Sequence, residues 1–531
     1  ADQLARAADR IRTVADIDRS AASSVGSFHL LASVNGRVRV QGTVTGLQRV
    51  FHATVKGVTV AADRADVLAW LLDAAVDEQR LALHLLNPPA LYPLAGQPVW
   101  RGVEDLPTDH YLVLDGDGRQ RSVKWWSPPE PVVPMADGAL ALREALSTAV
   151  NARIRDHQLV SSDLGGLDST ALCCLAAQGP AHVVAYTFAA QDPLADDAAW
   201  ARRTVAALGN VEHYILPAEE MPLSYDGLVA MTDRLDEPCF VAIDRNTWLA
   251  IGRRAAARGS RLHLTGFGGD ELLYGAPAHL HTMLRTHPRI ALRHVRGFTA
   301  KYRWPRAEVM RQLLDNRSYR AWLGWVADNL TAPPVPDEAP LLGWGISPRL
   351  PAWVTSAAVE AVRDLIHAQT RTVEPLAPGR GQHRELEGMR AVCRLTRQIA
   401  QMAAQMGLTL VTPYYDDRVI EAGLAVRPED RITPWRYKPL IVEAMRGIVP
   451  EESLTRSTKA NFDYAGHAGQ HEHRAQLLSL CEDSRLAKLG LIDSNAFRAV
   501  CSGPLPSDAL IRQTMACEVW LRTLEGARVA S

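Results

Sequence analysis

The sequence is poor in the residues that cross-link a chain. Seven cysteines are scattered over 531 residues: Cys173, Cys174, Cys239, Cys393, Cys481, Cys501 and Cys517. None forms a CxxC pair and none has a His at zinc-like spacing, which argues against a structural zinc. The odd, dispersed count argues against a disulfide framework and suits thiols that act as small core residues in a reducing compartment. No apolar run reaches the roughly 18 residues of a membrane helix, and no basic-then-apolar segment opens the chain. A cytoplasmic location with no membrane partner is expected. Net charge is only −1 and the isoelectric point is near 7.1, so no bulk field draws the chain to nucleic acid. Internal repeats and low-complexity stretches are also missing. What remains is the balance of a folded globular protein, 47% hydrophobic and 22% charged, long enough for two domains.

Residues 1–125 carry short alternating segments, VGSFHLLASV, GRVRVQGTVT and HATVKGVTVAA, which predict half-buried antiparallel strands. RADVLAWLLDAAV predicts a helix after the third. WWSPPEPVVPM then packs four prolines into a segment that can continue neither helix nor central strand, so a linker is placed at 126–135. From 136 the pattern alternates. ALALREALSTAVNARI, STALCCLAAQ, DDAAWARRTVAALG and DRNTWLAIGRRAAARG predict helices; HQLVSSD, HVVAYTFAA, VEHYIL and SRLHLTG predict strands between them. Such alternation implies a parallel sheet covered by helices. Beyond about 275 the chain reads as mainly helical.

Two glycine loops carry the chemistry. SSDLGGLDST, Ser161–Thr170, lies between a predicted strand and a predicted helix. Gly165 and Gly166 present no Cβ to a phosphate, and the N–H groups of the turn and helix start can point at the anion. Asp168 offers a carboxylate for Mg²⁺ and Ser169 a hydroxyl for a phosphate oxygen. TGFGGDELLYG, Thr265–Gly275, holds Gly266, Gly268 and Gly269 and then Asp270 and Glu271. Either loop alone reads as a glycine turn with an acidic cap. Two such loops at the carboxyl ends of one parallel sheet read as a phosphate site, where acids beside phosphates require a cation between them. Asp168 and Asp270 are the expected metal ligands and catalytic acids. The expected nucleotide set is Ser162, Leu164, Gly165, Gly166, Asp168, Ser169, Thr187 and Gly266.

The loops resemble the SGGxDS and GxGxDE motifs of the asparagine synthetase superfamily, which includes asparagine synthetases, β-lactam synthetases and lasso-peptide cyclases. DEP at 236–238 matches a short acidic segment of that group, and TPYYDDRVIE at 412–421 looks like its P-F-L-D segment. RYKPLIVEAMRGIVPEESLTRSTKANF at 436–462 looks like its C-terminal block, in which a lysine reaches the phosphates. Lys459 is the matching residue and the expected catalytic cation; Lys438 is the second candidate. The resemblance covers roughly 136–465. It implies an α/β ATP-pyrophosphatase domain with a Rossmann-like parallel sheet at 136–531, preceded at 1–125 by a smaller α+β, Ntn-like glutaminase-like domain. No Cys precedes Cys173, so that domain is expected to lack the glutaminase nucleophile. The implied cofactors are ATP and Mg²⁺, and the implied reaction is adenylation of a carboxylate followed by attack of an amine.

Within the superfamily, the DLGGLDST loop, the segment WRGVEDLPTDHYLVLDGDGR and the proline linker look like actinobacterial lasso-peptide cyclases. That likeness implies a leader-free core peptide as substrate, macrolactam formation at an Asp or Glu side chain, and a leader peptidase and a leader-recognition protein as partners. Phe267 stands where β-lactam synthetases place a tyrosine, and it has no proton to transfer. Leu164 replaces the opening serine of the first motif, which implies weaker pyrophosphate binding. Trp322, Trp325, Trp344 and Trp353 are expected in the core. Arg285, Arg289, Arg293 and Arg296 read as a solvated helix face that could instead meet peptide carboxylates.

Overall fold

A computed structural model describes residues 11–18, 21, 24–189, 195–336, 339–458, 463–503 and 508–529. The alternating segments at the start form two antiparallel sheets. One has the order β1 (Leu30–Val34), β2 (Arg37–Gln41), β6 (His110–Leu114), β7 (Gln120–Lys124). The other has the order β4 (Val58–Ala62), β3 (Phe51–Val55), β5 (Glu104–Asp105). The helix predicted after the third segment is Ala65–Leu72. The linker is docked rather than free: Val133 pairs with Val426, and the first long helix, Met135–Ile154, starts one residue inside the predicted linker.

The alternating region forms one parallel sheet of β8 (Leu159–Asp163), β9 (His182–Phe188), β10 (Val211–Leu216), β11 (Leu262–Leu264) and β12 (Thr409–Val411). Its order is β10-β9-β8-β11-β12. The chain therefore winds outward from β8 in one direction and then returns to continue on the other side. β8 and β11 lie side by side at the point of reversal, with His263 opposite Ser161 and Leu264 opposite Ser162. In an open parallel sheet the crevice beyond the carboxyl ends at such a point is where ligands bind. The predicted strands all appear; β12, which the sequence reading did not propose, is three residues long, too short for its periodicity to be read.

The sheet is buried between helices by an apolar core that includes Val160, Val183, Ala185, Leu264 and the helix residues Leu142, Leu146, Leu172 and Cys174. A second core joins the three-stranded antiparallel sheet to the C-terminal helices, with Phe51, Trp100, Trp322, Trp344, Trp353 and Trp520 inside it. Three of the four tryptophans expected in the core are there; Trp325 is 37% exposed. All seven cysteines are buried free thiols. The 25-residue helix Arg380–Ala404 gives Leu386 and Met389 to the first core and Ile399 and Met402 to the second, and so ties the two together.

Candidate active site

The first loop leaves β8 at Asp163 and enters the helix Leu167–Ala177. Gly165 has φ +148°, a conformation that suits glycine, and a Cβ there would lie 3.1 Å from Asp197. Asp168 sits in the first turn of the helix, where a negative charge faces the positive end of the helix dipole. The second loop leaves β11 and enters a short helix, Gly269–Leu273. Its glycines have a different use from the one expected of them. A Cβ on Gly269 would lie 2.5 Å from Asp168 Cγ, and one on Gly266 would lie 2.9 Å from the Ser169 nitrogen. Their bareness lets one loop nest against the other, which is what brings Asp168 and Asp270 to one place.

Lys438 fills the point where they meet. Its Nζ bonds the Asp168 carboxylate and lies 2.7 Å from Asp270 Oδ1. The lysine is 2% exposed and occupies a left-handed backbone conformation, φ +41°, at the start of the helix Pro439–Ala444. Burial works against its charge, but the two carboxylates outweigh burial and hold the ammonium well above the ordinary lysine range. Glu271 faces the same cleft. Burial, reinforced by the Asp270 charge, raises its carboxyl to about 7.

The cleft is also lined by Trp248, Ile251, Phe267, Val392 and Tyr437 on its apolar side and by Gly165, Gly166, Ser169, Thr187 and Thr458 on its polar side. Trp248 and Phe267 pack at 5.4 Å between ring centroids. Tyr414, from the segment after β12, donates its hydroxyl to the Asp168 carbonyl at 3.1 Å and so braces the first loop from below. Arg456 donates to the Gly165 carbonyl and pairs with Asp196 at 2.9 Å and Asp197 at 2.5 Å. Thr458 donates to Asp196 at 2.7 Å. The block at 436–462 is thus fastened to the first loop at two places, by Lys438 and by Arg456.

Two predicted residues stand elsewhere than expected. Ser162 is fully buried beneath the loop, with its hydroxyl donated to the Asp163 carbonyl at 2.9 Å, and it does not line the cleft. Leu164 lies at the cleft wall with its side chain in the core, 3% exposed; its N–H bonds Tyr186 and its carbonyl accepts from Thr187 at 2.6 Å. The residue that replaces the motif serine therefore buys packing rather than a polar contact. Lys459 lies outside the described residues.

Lys438, the second candidate from the sequence, and Arg456, which no motif points to, hold the first loop. Both are deeply buried, at 2% and 3% exposure, and a buried unpaired cation is costly enough that its partners must be sought. No periodicity marks them. The DEP segment proves to be a clamp: Asp236 meets Arg397 at 2.5 Å and Gln398 at 2.6 Å, while Glu237 takes two bonds from Arg394 at 3.0 and 2.9 Å. It anchors the long helix to the antiparallel region and does not line the cleft.

Comparison with known proteins supplies the family. Residues 141–522 match the family model described as asparagine synthase. The match spans more than half of the chain, and the chain belongs to that family. Its members are ATP-dependent ligases that form carbon–nitrogen bonds with release of AMP, usually with Mg²⁺. No curated protein matches it. Among solved structures it is similar to one titled as the allosteric regulatory enzyme of purine biosynthesis, with 11% identity and a TM-score of 0.16. That match covers 45% of this chain and 56% of the other, so the chain spans little more than half of that protein's length.

Proposed function

We propose that this member of the asparagine synthase family is a lasso-peptide-type cyclase, which joins the N-terminal amine of a peptide to one of its own Asp or Glu side chains. A carboxylate oxygen attacks the α-phosphorus of ATP and pyrophosphate leaves. The amine then attacks the acyl carbon, loses a proton and expels AMP. The observation that carries the reading is the convergence of Asp168, Asp270 and Lys438 at the reversal point of the sheet, beside a glycine loop and an apolar cleft.

The two carboxylates already converge on one cation, the Lys438 ammonium, and as oxygen donors they would be the residues to hold Mg²⁺. A bound Mg²⁺ would supply positive charge that offsets the charge of the phosphates. This chain's own contributions are the loop N–H groups at Gly165 to Ser169, the buried Lys438 ammonium and the Ser169 hydroxyl, all fixed before substrate arrives. Lys459 is proposed as a further cation toward the phosphates, three residues after the fastened Arg456. Phe267 and Trp248 exclude water from the acyl side, which favours the amine over hydrolysis. In this proposal the substrate arrives without its leader, which makes a leader peptidase and a leader-recognition protein the expected partners.

Mass spectrometry of a leader-free peptide with enzyme, ATP and Mg²⁺ tests the reading. Loss of one water, absent in Asp168→Ala and Asp270→Ala, supports it. Pyrophosphate release with aspartate plus ammonia or glutamine, and none with any peptide, replaces it with a small-molecule amidotransferase.

A further inference from the structure

The segment that brings Tyr437 to the cleft starts from a surface that the reaction as described leaves unused. Helix Pro288–Tyr302 runs beside it. Gly297 marks the contact, since a Cβ there would lie 2.4 Å from Pro434 Cγ. Next in the chain, Trp435 is 52% exposed. The Arg293 guanidinium lies over its ring at 4.7 Å and His294 meets it edge-on at 5.1 Å. Three residues later Lys438 bridges the acid pair, so one short segment runs from the open tryptophan to the reaction centre.

A second path is aromatic. Tyr437, which lines the cleft, meets Tyr274 edge-on at 5.8 Å. The Tyr274 hydroxyl bonds that of Tyr302 at the end of the same helix.

Charge singles this helix out further. Arg289, Arg293 and Arg296 recur at i, i+4 and i+7, which places them on one face. All three are exposed, and among the described residues none has a carboxylate in ion-pair range. Arg285, by contrast, is tied to Asn316 at 2.5 Å and to the His281 and Leu313 carbonyls. Like charges stacked along a helix repel one another, and an anionic ligand relieves the repulsion. A ligand that reaches both this row and the acid pair must extend from the carboxyl being activated. With a net charge of −1 the chain has no general affinity for polyanions, so the row selects a ligand already held by the cleft.

We propose that Arg289, Arg293, Arg296 and Trp435 form a docking ledge for the carboxylate-bearing tail of the peptide substrate, while its reacting carboxyl lies at the Asp168–Asp270 junction. The inference rests on the peptide reading above. Trp435 supplies stacking area and the arginines supply the charge that fixes direction.

Fluorescence anisotropy tests it with labelled linear peptides that carry a free N-terminal amine, one internal Asp and either a C-terminal carboxylate or its amide. The wild-type enzyme is expected to bind the acid form about tenfold tighter than the amide at low salt, and to lose most of that difference at about 0.3 M salt. The variant with Arg289, Arg293 and Arg296 changed to Ala is expected to lose the acid–amide difference while its affinity for ATP and its melting temperature stay unchanged. Trp435→Ala weakens both forms, and Trp435→Phe restores most of the loss. Undiminished discrimination in the triple-alanine variant overturns the ledge, as does displacement of the peptide by single-stranded DNA at lower concentration than by unlabelled peptide. Pyrophosphate release with the same peptides separates the two readings. Discrimination without any release sinks the cyclase and leaves the ledge; release and ring closure that the triple variant performs with wild-type KM sink the ledge alone.

Discussion

Two acidic pairs, one buried and one half-buried, are put to opposite uses. Asp236 and Glu237 are closed in by Arg394, Arg397 and Gln398 of the long helix and by Arg49, 3.6 Å from Glu237. Asp168 and Asp270 come from two loops, share one lysine and face a cleft, with the Asp270 side chain 35% exposed. A closed pair holds structure. An open pair that faces a cleft keeps room for another cation. Sequence position does not separate the two, since both are acids next to helices in recognisable motifs; what separates them is which side faces empty space.

The largest test of this contrast is removal of the open pair. Asp168→Ala or Asp270→Ala should lower pyrophosphate release by about 10³-fold or more, about 4 kcal/mol in the transition state. Lys438 keeps one carboxylate in either case, so the circular-dichroism spectrum should stay native. An effect under tenfold would show that the open pair is structural too.

Glu237→Ala should do the reverse. It leaves Arg394 without its bidentate partner and should cost about 3 kcal/mol in denaturant unfolding, with kcat of the folded fraction within a factor of about three. A large kcat loss with unchanged stability would move the clamp into the site.

Gly269→Ala sharpens the contrast without touching charge. Its Cβ must displace Asp168 or the loop, and a misplacement of about 1 Å is expected to cost 10- to 100-fold in kcat. Wild-type activity would show that the loops tolerate separation.

The smallest effect is in acid. Burial opposes the Asp236 charge, but Arg397 and the Gln398 bond overcome it and hold the carboxyl down to about 2. Because the folded value lies below the unfolded value of about 3.9, its stabilisation is complete above pH 4 and fades as pH falls toward 2. Asp236→Asn should flatten the stability curve across that window, measured by urea unfolding at fixed pH. An unchanged slope would assign the acid sensitivity to other carboxylates.

Much of this was legible in the residues. The strand–helix alternation, both glycine loops and the pair Asp168 and Asp270 followed from local patterns, because strand period, turn chemistry and helix starts are short-range properties. The roles of individual polar groups were less legible. Ser162, expected in the nucleotide set, has its hydroxyl buried on the Asp163 carbonyl, and nothing local in DEP shows that its acids meet the long helix.

The sequence by itself determined that this chain builds a parallel sheet with two acid-bearing glycine loops, because those features depend on neighbours a few residues apart. Only the tertiary structure decided that the loops nest, that Lys438 bridges their acids and that the DEP acids face away. Those outcomes depend on which chain segments, more than a hundred residues apart, exclude each other's volume and share each other's charge. No local pattern encodes such contacts, since the cost of a buried lysine becomes an interaction only when its partners have been folded beside it.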